Sequence, residues 1–74
     1  MASRKIVLKN PDDARALVAL AAKEAFDVTV RRGRIQIDAK SIVGVLGMDL
    51  KHPMELHYDG DSAELDAFAE AHIA

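Results

Sequence analysis

The spacing of hydrophobic residues changes several times along the chain, and each change marks a predicted element. Ile6, Val7 and Leu8 form a short apolar run next to basic residues, which predicts a first strand. Asn10 followed by Pro11 is typical of a helix start, because asparagine caps the first turn and proline fits the first helical position. The next residues are apolar at helical spacing and predict one buried helix face: Ala14, Leu17, Val18, Ala21 and Ala25.

The spacing then changes to alternation. Val28 and Val30, followed by Ile35 and Ile37, alternate with polar residues, and Gly33 between them can adopt the positive φ of a turn. This pattern predicts a hairpin with one apolar and one charged face. Residues 54–58 alternate in the same way and predict a further strand.

Two segments have helix signals of different strength. Ile42–Leu46 has the propensity of a strand, yet Ser41 before it can cap a helix and Gly47 after it can end one. Asp61–Glu64 has the spacing of a capping box, and the apolar residues that follow it share one helical face: Leu65, Phe68, Ala69 and Ile73.

The predicted order, β-α-β-β-(α)-β-α, indicates a single domain over residues 1–74. Amphipathic helices on one face of an antiparallel sheet give a two-layer α+β sandwich. A ferredoxin-like fold is the competing architecture, since it shares the first six elements and lacks the last helix.

The amino-acid composition excludes several kinds of site and of protein. The 74 residues carry a net charge of −2 and include no cysteine, which excludes a disulfide scaffold, a thiolate zinc site and a cysteine nucleophile. No apolar run reaches the ~20 residues of a membrane span. We therefore expect a cytoplasmic protein that binds neither membranes nor nucleic acid, with no cofactor and no enzymatic activity. The basic residues at 31, 32, 34 and 40 are interpreted as a solvated hairpin face.

The three histidines give no metal-binding pattern. His52, His57 and His72 lack carboxylate partners at the fixed offsets of known metal motifs. We expect all three side chains to be solvated, and no metal site.

Residues 38–50 read Asp-Ala-Lys-Ser-Ile-Val-Gly-Val-Leu-Gly-Met-Asp-Leu. This segment resembles the regulatory-serine region of HPr, the small phosphocarrier of the bacterial sugar phosphotransferase system, and Ala-Lys-Ser-Ile-x-Gly-Val carries the match. The resemblance extends over nearly the whole chain in length and element order. It implies an HPr-like open-faced β-sandwich, with a four-stranded antiparallel sheet of order 1-4-2-3 and helices on one face. It also favours a short helix over residues 42–46.

The chain departs from the family at the first helix. HPr proteins begin that helix with Gly-(Leu/Ile)-His-Ala-Arg-Pro-Ala, whose histidine accepts phosphate, whereas residues 11–17 read Pro-Asp-Asp-Ala-Arg-Ala-Leu. Asp13 thus stands at the expected phosphohistidine position and Arg15 at the family arginine. The segment between this site and Ser41 is about three residues shorter than in the family. A one-residue shift of the alignment would therefore place Asp12 at the phosphohistidine position instead. Neither alignment offers a histidine.

A carboxylate can form an acyl phosphate, so Asp13 is an alternative phosphoryl acceptor. Electrostatics disfavour it, because like charges ~4 Å apart at an effective dielectric of ~20 repel by roughly 4 kcal/mol. Asp12 and Asp13 have a simpler interpretation as acids that stabilise the first turn of the helix. The predicted function is a regulatory, protein-binding homologue without histidine phosphotransfer. The alternatives are a carrier that uses Asp13 and a non-signalling relic of the fold.

By resemblance, Ser41 is the candidate regulatory phosphorylation site. Phosphoserine would place ~2 negative charges at the start of a helix, and Lys40 and Arg15 would help to neutralise them. The alternative is a plain capping serine.

The short helix after Ser41 matches the family's apolar docking surface. The resemblance assigns docking to Ile42, Val43 and Leu46, with Val45 expected in the core. The alternative is that both Val45 and Leu46 fill the core while Ile42 and Val43 are rim residues. The expected partners are proteins, namely an HPr-type kinase or a regulator, and the expected state is a monomer.

Overall fold

A computed structural model describes residues 2–74 of the chain. The elements follow in the order β1 (Ala2–Ile6), α1 (Pro11–Ala22), β2 (Val28–Arg32), β3 (Ile35–Asp38), α2 (Ile42–Leu46), β4 (Met54–Tyr58) and α3 (Ala63–Ala71). This order confirms the predicted one, and the ambiguous segment 42–46 is a helix. No helix within the described residues is long and apolar enough to cross a lipid bilayer.

The four strands form one antiparallel sheet in the order β1-β4-β2-β3, as the resemblance implied. Leu56 of β4 pairs with Arg4 on one side and with Val30 on the other, and Val30 pairs in turn with Ile37. The central strands β4 and β2 therefore carry the middle of the core.

The core lies between the sheet and the helices. Its fully buried large side chains come from all parts of the chain and include Ile6, Leu8, Leu17, Val28, Val30, Val45, Met54, Leu56 and Leu65. Burial alternates strictly along β4, because successive residues of a strand point to opposite faces. The alternation read from the sequence at residues 54–58 is thereby confirmed.

Side-chain caps define where the helices begin. The Asn10 carboxamide oxygen accepts a hydrogen bond from the Asp13 N–H at 2.9 Å, as expected for the start of α1. At α3 the cap is Ser62, whose hydroxyl accepts from the Leu65 N–H at 3.1 Å. The capping-box spacing at residues 61–64 therefore lies within one residue of the observed helix start.

Some apolar residues lie elsewhere than their spacing predicted. The first strand ends at Ile6, and Leu8 is buried in the connection to α1. Ala25 lies beyond the end of α1 and is exposed. Ile35 and Ile73 are also exposed, because Ile35 adjoins the hairpin turn on an edge strand and Ile73 follows the end of α3.

Two glycines are required by their surroundings. Gly33 has φ of 60° and begins the two-residue turn of the β2–β3 hairpin. Gly60 packs against the ring of Phe26, and a Cβ atom at Gly60 would overlap that ring. Phe26 in turn stacks on Tyr58 with a ring-centroid distance of 6.1 Å.

Candidate functional site

The start of α1 carries Asp13, which is expected, with Asp12 as the alternative, at the phosphohistidine position. One carboxylate oxygen of Asp13 accepts the Lys9 N–H at 2.9 Å, and the other lies 3.4 Å from Nε2 of His72. The Asp13 side chain is 23% exposed. Both carboxylate oxygens therefore contact partners from the chain itself.

The backbone donors of this helix start are also largely used. Pro11 has no N–H, and the N–H groups of Asp13 and Ala14 both donate to Asn10. Asp12 is highly exposed and forms an ion pair with Arg15 at 2.8 Å. An incoming phosphate would thus meet two acids, one remaining backbone donor at position 12, and an arginine that already has a partner.

His72 corrects the expectation that all histidines are solvated. It caps the end of α3, its ring stacks on Phe68 at 4.0 Å, and its Nδ1 lies 2.8 Å from the Phe68 carbonyl oxygen. The side chain is only 17% exposed. The fold therefore brings a histidine to the start of α1 from the far end of the chain, which no local sequence pattern indicates.

Ser41 caps the start of α2, as predicted. Its hydroxyl accepts the Gly44 N–H at 3.1 Å, and the residue is exposed. Lys40 is half-buried, and its ammonium group donates to the Glu24 carbonyl oxygen at 2.9 Å. The two cations expected to neutralise a phosphate on Ser41 are thus engaged elsewhere, Lys40 with Glu24 and Arg15 with Asp12.

Ile42, Val43 and Leu46 form an apolar surface, called here the α2 patch. Val43 is 80% exposed and Leu46 is 38% exposed, whereas Ile42 is half-buried. Val45 is fully buried, as expected for the core member of the helix. Gly44 lies so close to β3 that a Cβ atom there would be 2.6 Å from Cγ2 of Ile37.

Comparison with known proteins identifies the family. The family model described as "PTS HPr component phosphorylation site" matches residues 3–71 of the chain. This chain belongs to the HPr family. It is therefore a phosphocarrier-type protein of the phosphotransferase system, a family of carriers rather than enzymes.

The fold agrees with a solved HPr structure. It is similar to a histidine-containing phosphocarrier protein of Mycoplasma, with a TM-score of 0.69 and 23% sequence identity, over 95% of this chain and 85% of the other. At that identity the likeness shows a common fold. No curated protein matches the chain.

The loop after α2 of this HPr-family chain contacts Arg32, which is therefore not the solvated cation that the sequence predicts. Its Nε donates to the Pro53 carbonyl oxygen at 3.0 Å. Its Nη2 donates to the carbonyl oxygens of Asp49 at 2.6 Å and His52 at 2.5 Å. These contacts tie residues 49–53, between α2 and β4, to the end of β2.

The other two histidines, His52 and His57, differ in how exposed their side chains are. His52 is well exposed, as predicted. His57 is only 20% exposed, which corrects the prediction, and its Nε2 lies 3.3 Å from both Ser3 Oγ and Arg31 Nη2. Among the described residues, no three histidine or acidic side chains come together as a metal site.

Tyr58 is the one described group with a resolved pKa shift. Burial, followed by the hydrogen bond its hydroxyl donates to Asp66, raises the pKa of Tyr58 to about 12. The residue belongs to the core and stacks on Phe26, so this shift concerns stability rather than chemistry at the site.

Proposed function

We propose that this HPr-family chain is a regulatory, protein-binding homologue that acts through Ser41 and the α2 patch, without histidine phosphotransfer at α1. The observation that carries the proposal is the contrast between two helix starts. At α1, one Asp13 carboxylate oxygen accepts the Lys9 N–H and the other lies 3.4 Å from Nε2 of His72. At α2, the cap is an exposed serine hydroxyl close to the exposed side chain of Val43.

The contacts of the acids count against phosphoryl transfer at α1. To attack phosphorus, an Asp13 carboxylate oxygen would have to leave either the Lys9 N–H or its place beside His72 while a phosphoryl dianion approaches beside Asp12. A helix start favours phosphate through free N–H groups, and here Asn10 accepts two of them. These contacts also make a carrier mechanism through Asp13 the weaker alternative.

Phosphorylation at Ser41 is favoured by the local geometry. The hydroxyl already accepts the Gly44 N–H, so a phosphate oxygen on Ser41 can accept the same donor. Two new negative charges beside Val43 would alter the α2 patch for any partner, because charge next to an apolar surface changes its desolvation on binding. Release of Lys40 from the Glu24 carbonyl would add a cation to the modified site.

A kinase assay with matched serine variants tests the proposal. Ser41 and Ser62 both cap helices with the same oxygen-to-nitrogen distance of 3.1 Å, yet Ser62 is buried. With a purified HPr-type kinase and ATP, we expect phosphate incorporation into wild type and Ser62→Ala and none into Ser41→Ala. Equal incorporation into Ser41→Ala, or none into wild type, would contradict the serine proposal. The second result would favour the non-signalling relic.

A second assay addresses the α1 site. Incubation with phosphoenolpyruvate and the upstream phosphotransferase enzyme, followed by mass spectrometry, should show no phosphorylated protein. A phosphorylated species that disappears in Asp13→Asn would instead establish the carrier alternative. Asp12→Asn is the matched control, since it removes an equal charge from the same turn.

A further inference from the structure

We propose that two copies of this chain pair through the outer edges of their β3 strands, forming an antiparallel dimer about a two-fold axis at Gln36. The sheet has two edge strands, β1 and β3. The β1 edge is covered by the chain's own C-terminal residues, because the Val7 N–H donates to the His72 carbonyl and Ile6 pairs with Ile73. Within the described residues, no strand or terminal segment covers the outer side of β3 in this way.

The hydrogen-bond pattern of the hairpin determines which backbone groups of β3 point outward. The Ala39 N–H donates to the Val28 carbonyl at 2.8 Å, continuing the β2–β3 ladder. Backbone groups alternate in direction along a strand, so Ile37 and Ile35 also face β2. Gln36 therefore presents its N–H and C=O outward, and Asp38 presents its N–H. The Asp38 carbonyl already accepts from the Ser41 N–H.

The side chains of this edge are self-complementary. Residues 34–38 read Arg-Ile-Gln-Ile-Asp, and antiparallel pairing centred on Gln36 sets Arg34 opposite Asp38 of the second copy. Ile35, which is 56% exposed, then lies opposite the half-buried Ile37. Cross-strand apolar and opposite-charge pairs both stabilise an antiparallel sheet.

Neighbouring registers lack this complementarity. Pairing centred on Ile37 sets Arg34 opposite Lys40, which places like charges together. Pairing centred on Ile35 carries the strand past its own end into the turn at Gly33. The outward backbone groups and the opposite charges therefore both place the two-fold axis at Gln36.

The interface predicts a weak and reversible dimer. Each copy contributes one four-residue strand, which is far below the standard size of a stable interface. Because the ion pairs are exposed, salt should weaken the association.

Sedimentation equilibrium from about 10 µM to about 1 mM tests the proposal over the range that a weak dimer requires. The average mass of wild type should rise from 8.0 kDa toward twice that value. Gln36→Pro removes an outward N–H and leaves the β2–β3 ladder intact, so it should remain monomeric. Gln36→Ala keeps the N–H and should still dimerise. A wild-type chain that stays monomeric at the highest concentration, or a Gln36→Pro variant that dimerises like Gln36→Ala, would overturn the proposal.

A charge reversal keeps the test decisive if Gln36→Pro fails to fold. Arg34→Asp should weaken dimerisation about tenfold, since it replaces two attractive pairs by two repulsive ones. Arg34→Asp combined with Asp38→Arg should restore it. Circular dichroism verifies that each variant is folded. If the combined variant is folded and dimerises no better than Arg34→Asp, the proposed register is wrong.

Discussion

The contacts of Arg32 predict a large loss of stability from a single surface substitution. Arg32→Met keeps much of the aliphatic length and removes the guanidinium group that holds three carbonyl oxygens of the segment 49–53. A hydrogen bond from a charged donor contributes roughly 1.5–3 kcal/mol when it is buried. The accepting loop is largely exposed, and its carbonyl groups can be rehydrated, so about 1 kcal/mol for each of the two donating nitrogens is appropriate. The expected loss is about 2 kcal/mol, or roughly 8–16 °C in Tm for a domain of this size.

Urea unfolding monitored by circular dichroism measures this loss, and Arg34→Met is the matched control. Arg34 lies in the hairpin turn next to the same strand, is exposed and carries the same charge. Its replacement should change the free energy of unfolding by no more than about 0.5 kcal/mol. Amide exchange at residues 49–52 should also accelerate in Arg32→Met alone. Equal stabilities of the two variants would refute the assignment of Arg32 as the residue that fixes this loop.

Three further predictions follow from buried or exposed side chains. The pKa of Tyr58 is raised from 10.0 to about 12, so the folded state favours the neutral phenol. The neutral phenol therefore contributes its full share of the folding free energy below pH 10, and this share is lost as the pH rises toward 12. The loss should reach roughly 2–3 kcal/mol and be absent in Tyr58→Phe, as measured by urea unfolding at both pH values. Gly60→Ala should lower the free energy of unfolding by about 1–3 kcal/mol because its Cβ would overlap Phe26, and Phe26→Leu should reduce that effect. Val43→Asp should abolish binding to an HPr-type kinase in calorimetry while leaving Tm nearly unchanged; an equal loss of binding in Ile35→Asp, outside the α2 patch, would contradict a specific docking role.

Local signals predicted the elements well where the responsible interactions are local. Asn10 and Pro11 predict the start of α1, and Gly33 predicts the hairpin turn, because the relevant contacts lie within a few residues. The segment 42–46 was different, since its residues favour a strand while the Ser41 cap favours a helix. The resemblance to HPr decided that element correctly.

The features that the sequence did not predict are contacts between distant segments. The pairing of His72 with Asp13 joins the two ends of the chain, and Arg32 reaches a loop that lies beyond α2. No periodicity carries such information, because hydrophobic spacing indicates which face is buried and not which polar groups meet. The same limit explains why Ile35 was expected to be inward, although its place at an edge leaves it exposed.

The start of α1 illustrates a conflict between stability and phosphate binding. A helix start binds an anion only while its N–H groups are available, and each group satisfied within the chain stabilises the fold and weakens that site. Here Asn10 accepts two N–H groups, and Asp13 accepts the Lys9 N–H and lies beside His72, so contacts within the chain already occupy the site. If the chain signals through Ser41, as proposed, these contacts at the start of α1 do not impair its function. A carrier that used α1 would instead need these contacts to open in each transfer cycle.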